Sequence, residues 1–151
     1  MTPDARVKLF LKAMTKWERS VYKKIGKTTP ADAAALKKEL QSIFDENLTT
    51  KGKSPARFGV RLTSGLTAGD PPEFDQEVIV VKDGPKPGVF HVVTKHRKMS
   101  NTLWRYVVVD SDGLMAIDDR QTRVLSKDES QKVASGQGNK LPEGKWQKLG
   151  Y

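Results

Sequence analysis

The sequence predicts an α+β fold in which two N-terminal helices pack on one face of a meandering antiparallel sheet. Three observations carry this prediction. Two helix starts share one chemistry, "TPDA" at Thr2 and "TPADA" at Thr29. The hydrophobic period then changes from helical to two after Leu48. Finally, "DSDG" separates two β-rich runs, as the turn of a hairpin would.

Taken in order, each Thr can cap the first free amides, each Pro sits in the first turn where its missing N–H is harmless, and an Asp complements the positive helix end. The first helix is predicted from about Pro3 to Ile25, stopping at Gly26, and the second from about Pro30 to Asn47 with Leu36, Leu40, Ile43 and Phe44 on one face. The sheet is predicted over about residues 57–125. "RFGVRL" places Phe58, Val60 and Leu62 on one side of a short strand; "EVIVVKD" and "GVFHVVTKH", separated by "GPKPG", read as a hairpin, and the run around "DSDG" as another. Residues 126–144 have little apolar content and many turn formers, which predicts a loop with room for one short helical turn. Trp146, Leu149 and Tyr151 then mark a C-terminal edge element.

A chain of 151 residues makes one domain. No run approaches the ~18 apolar residues of a membrane span, and no uninterrupted apolar stretch marks a secretory signal. With zero cysteines, disulfides, thiolate metal sites and cysteine nucleophiles are excluded, and the cytoplasm is the expected compartment. The formal net charge is +9, and residues 2–27 hold eight basic and two acidic side chains. Such a field attracts nucleic acid, an anionic membrane or an acidic protein.

On a helical wheel Val7, Phe10, Leu11, Met14, Trp17, Val21, Tyr22 and Ile25 fill an arc of about 140°, with the lysines and arginines opposite. Glu18 falls inside the apolar arc. One reading makes it a structural partner of Arg57, Arg61 or Arg105, because a lone buried carboxylate costs several kcal/mol. The other makes Glu18, with Tyr22 one turn on, the polar groups of a small-molecule cavity, Glu18 acting as general acid or base. His91 and His96 have opposite parity on one strand and cannot form a facing pair, so no metal is expected. Asp118 and Asp119 are expected to end a strand and balance Arg120 and Arg123. Ser135 lacks the strand before a nucleophile elbow, and "SGQGNK" matches no phosphate loop. No catalytic constellation or cofactor motif is present.

The order of "FLKAMTKWERSVYKK", a second helix, "PPEFDQEVIVV", "LWRYVVVDSDGLMAIDD" and "GKWQKL" resembles the immunity proteins with the nuclear transport factor two (NTF2) fold, from bacterial polymorphic toxin systems. The likeness runs from about Ala5 to Leu149. It implies a cone-like, strongly curved sheet around the helices, and a non-enzymatic antitoxin that occludes a cognate toxin. Taken with the basic charge, it points to a toxin with an acidic surface, met by Lys12, Lys16, Arg97 and Lys98, with no membrane partner; a homodimer is also compatible with this fold. Two other functions stay open: a ligand-binding protein or isomerase/dehydratase-like enzyme using the cone cavity, and a basic nucleic-acid module. Against the latter, Phe10, Trp17 and Tyr22 fall on the arc expected to face the core instead of among the charges, where they could stack on bases.

Overall fold

The computed structural model describes residues 1–24, 26–53 and 71–148. The strand predicted over residues 57–62, with Arg57 and Arg61, lies outside the described residues, as do Ile25, Leu149 and Tyr151. Helix α1 spans Pro3–Lys23 and α2 spans Pro30–Asn47. Both starts form as their residues dictate: the Thr2 hydroxyl accepts from the Ala5 N–H, and Thr29 and Asp32 exchange the two hydrogen bonds of a capping box. α1 closes two residues before the sequence-predicted end, where the Lys24 N–H donates to the Val21 carbonyl in a tightened last turn.

Four strands follow, β1 (Gln76–Asp83), β2 (Val89–His96), β3 (Thr102–Ser111) and β4 (Leu114–Val124). A two-residue strand β5 (Gln147–Lys148) pairs antiparallel with β4, so the sheet is an open meander in sequence order. Asp112 and Gly113 turn between β3 and β4 with φ of 54° and 85°. That pair of positive angles is what a tight hairpin demands and what glycine supplies without strain. Bulges between Val78 and Val80 and between Val107 and Val108 add local bend and twist to the sheet.

Parity divides the sheet residues between two cores. Val92, Trp104, Tyr106, Val108 and Ile117 face α1 and α2 and join Phe10, Met14, Trp17, Leu40 and Phe44. Phe10 is the hub, with ring centroids 5.8 Å from Phe74, 6.2 Å from Tyr106 and 6.4 Å from Phe44. The indole of Trp17 donates to the Leu36 carbonyl at 2.8 Å and ties α1 to α2. On the opposite face Val93 and Leu103 pack with Leu125, Val133, Leu141 and Trp146.

Two expectations are corrected. Within residues 126–144 the chain forms a two-turn helix, α3 (Lys127–Ala134), because Ser126 and Glu129 build a full capping box that offsets the scarcity of apolar residues. Asp118 and Asp119 do not end β4, which continues to Val124. The bulge leaves Asp118 without a register partner, and it accepts from the Thr49 hydroxyl at 2.7 Å, while Arg120 pairs with Glu73 and Arg123 with Glu129.

Candidate functional site

Glu18 lies on the buried face of α1 and is 5 % exposed. Its two carboxylate oxygens accept from the backbone N–H groups of Glu73, at 2.9 Å, and Phe74, at 2.7 Å. Among the described residues its hydrogen-bond partners are thus a pair of main-chain amides just before β1; of the arginines expected from sequence, Arg57 and Arg61 lie outside the described residues. Arg105 is out of reach on the other face of the sheet, where its Nε donates to Gln121 at 2.7 Å. Burial raises the Glu18 pKa to about 7 against the opposing pull of the two amides, with smaller contributions from Glu73 and Arg120.

Tyr22 is also corrected: it is 48 % exposed. It stands at the rim of the apolar arc, one residue before the end of α1. Glu18 is thus buried where Tyr22 is exposed, and both Glu18 oxygens accept from main-chain donors. A general base needs an oxygen within reach of its substrate.

The segment that Glu18 grips is held from other sides as well. His96 donates from Nε2 to the Pro72 carbonyl at 2.8 Å and accepts at Nδ1 from the Lys98 N–H at 3.0 Å, which a single tautomer satisfies. Gln76 donates to the Glu73 carbonyl at 2.9 Å and receives the hydroxyls of Thr94 and Tyr106 at 2.7 and 2.9 Å. Arg120, fully buried, pairs with the Glu73 carboxylate and lies 4.6 Å over the Phe74 ring.

This fixed segment forms one bank of a groove of about 700 Å³, and α1 forms the other. From α1 come Lys8, Lys12, Lys16 and Arg19, spaced at three and four residues and so aligned along one stripe. Leu11, Phe74 and Val78 supply an apolar floor, and Arg97 stands across from the lysines. Lys8 is within 3.3 Å of Asp4, whereas Lys12, Lys16 and Arg19 pair with no acidic group among the described residues. Arg97 contacts Asp75 at 3.2 Å and Glu77 at 3.4 Å; Glu77 is held below the usual carboxylate range, chiefly by its hydrogen bond to Lys95. Five cations and two carboxylates therefore line the groove.

Of the four residues singled out for partner contact, the structure brings Lys12, Lys16 and Arg97 to this groove, while exposed Lys98 lies outside its lining. Lys8 and Arg19 extend the stripe by a turn each way, and their spacing was readable from the sequence. What the groove can do is hold an acidic, partly apolar surface.

The chain matches, over residues 3–134, the family described as NTF2 fold immunity protein. The match takes in the two N-terminal helices, the four long strands and α3, and the α+β architecture above is that of the NTF2 fold. No curated protein and no solved structure matches the chain.

Proposed function

The chain belongs to the NTF2 fold immunity protein family, and from that premise we propose that it binds a cognate bacterial toxin in the cytoplasm and neutralises it by direct occlusion, without catalysis. The observation that carries the choice of surface is the stripe of Lys12, Lys16 and Arg19, three unpaired cations among the described residues, facing Arg97 over an apolar floor. Cations in such an array steer an acidic partner at long range, and the floor then buries apolar surface at contact. The toxin face that fits is acidic at its rim and apolar at its centre.

The enzyme reading has less support, because the carboxylate it needs is occupied by main-chain amides and its tyrosine points to solvent. Nucleic-acid binding gains support from aromatics interleaved with charge. Here Phe10 and Trp17 are buried, and Tyr22 is the one exposed aromatic on α1.

The test is co-expression with a candidate toxin from a neighbouring reading frame. A stable complex and loss of toxicity are expected. Unabated toxicity with both proteins present and folded would refute the proposal.

A further inference from the structure

The face of the sheet turned away from α1 and α2 carries a second cavity, unrelated to the groove proposed for the toxin. It measures about 370 Å³ and lies between the sheet and the segment following α3. This is near the lower end of the roughly 300–1,000 Å³ typical of small-molecule sites. Val80, Val93, Leu103, Leu141 and Trp146 give it apolar walls.

Arg105 lies on this face because its register partners are Val93 on β2 and Gln121 on β4. Two contacts fix its guanidinium plane: Nε donates to Gln121 Oε1 at 2.7 Å, and Cζ lies 4.8 Å from the centre of the Trp146 ring. Neither uses the two terminal amino groups, which have no acceptor among the described residues. An arginine held by Nε and stacked on an indole presents a preorganised fork, the geometry that receives a planar carboxylate through two parallel hydrogen bonds.

His91 is two residues along β2 on the same face, since it aligns with Val107 where Val93 aligns with Arg105. Burial, reinforced by the charge of Arg105, lowers its pKa, so at pH 7 it is a neutral ring with one N–H to donate. Arg123 also reaches this cavity, but it is committed to the Pro142 carbonyl and the Glu129 carboxylate. Lys82, Asp83 and Glu143 complete the charged lining. Glu143 and Asp119 both act on Arg105 through space. Inorganic phosphate has no apolar body to set against Val93, Leu103 and Trp146.

We infer that this cavity binds a small monocarboxylate with an apolar body, its carboxylate on the terminal amino groups of Arg105 beside His91 and its body against Val93, Leu103 and Trp146.

Benzoate is a suitable probe, with benzyl alcohol and inorganic phosphate for comparison. Titrated into the ¹⁵N-labelled full chain, benzoate is expected to shift the Trp146 indole resonance, assigned with Trp146→Phe. Benzyl alcohol and phosphate should bind at least about tenfold more weakly, and Arg105→Gln should weaken benzoate by about tenfold or more, the scale of lost hydrogen bonds to a charged group. Glu143 is exposed, so Glu143→Gln leaves the fold intact and is expected to tighten benzoate about twofold to fivefold by removing a competing charge. An unmoved Trp146 resonance, equal affinity for the acid and the alcohol, or a Glu143→Gln variant that binds benzoate more weakly would overturn the inference.

Discussion

Replacing Glu18 with glutamine isolates the cost of burying its charge. The folded protein raises this pKa from 4.5 to about 7. Below about pH 4.5 both the folded and the unfolded chain hold the proton, and the residue contributes no pH-dependent term. Between that value and 7 the unfolded chain has released the proton while the folded chain keeps it, so stability falls as pH rises. Above 7 the full difference applies, about 3 kcal/mol at 1.36 kcal/mol per pKa unit. Glutamine has nearly the same shape and does not titrate. The stability of wild type minus that of Glu18→Gln should therefore decrease by about 2.5 kcal/mol between pH 5 and pH 8, whatever the fixed cost of pointing an amide at two N–H groups. Urea unfolding followed by tryptophan fluorescence measures both proteins, and the histidines and other carboxylates cancel in the difference. Parallel pH profiles would refute the argument. A difference that grows with pH would show that the amides of Glu73 and Phe74 outweigh desolvation.

Two further outcomes follow from the packing and the charge. Phe10→Ala, at the hub of four aromatic rings and fully buried, should cost about 3–5 kcal/mol in the same unfolding assay; a loss below about 1 kcal/mol would mean the cluster is not packed as described. The double charge reversal Lys12→Glu/Lys16→Glu should slow association with the toxin by about tenfold or more at low salt and flatten its salt dependence, with Arg97→Glu acting in the same direction and Lys98→Glu, outside the groove lining, doing less. On-rates that ignore both salt and these substitutions would remove the steering.

The sequence made local chemistry legible and left long-range partnerships hidden. Thr2 and Thr29 announced α1 and α2 because capping needs only residues three apart. Asp112 and Gly113 announced the β3–β4 turn for the same reason. Ser126 and Glu129 carried an equally local signal for α3, obscured because Val133 is the helix's one buried residue. The burial of Glu18 followed from its angle on the wheel, but its partners did not: a main-chain amide leaves no signature in the choice of side chain. Tyr22 has the right angle and the wrong height, since it sits where α1 ends. The groove was half legible, as the lysine stripe lies within one helix while Arg97 reaches it only through the folding of β1 and β2.

The buried carboxylate and the surface groove are parts of one construction. Residues 71–75 form an irregular stretch before β1, and such a stretch must find partners for its main-chain groups. Pro71 and Pro72 remove two N–H donors at the outset, and Glu18 takes the next two. His96 and Gln76 supply donors to the carbonyls of Pro72 and Glu73. The Asp75 carbonyl then accepts from the Arg97 N–H at 3.0 Å, and the Asp75 carboxylate contacts the Arg97 side chain. A continuous chain of bonds therefore runs from the inner face of α1 through this segment to Arg97, while Lys12 and Lys16 project from the outer face of the same helix. The two amide bonds that Glu18 accepts are thus the first link between α1 and the far bank of the groove.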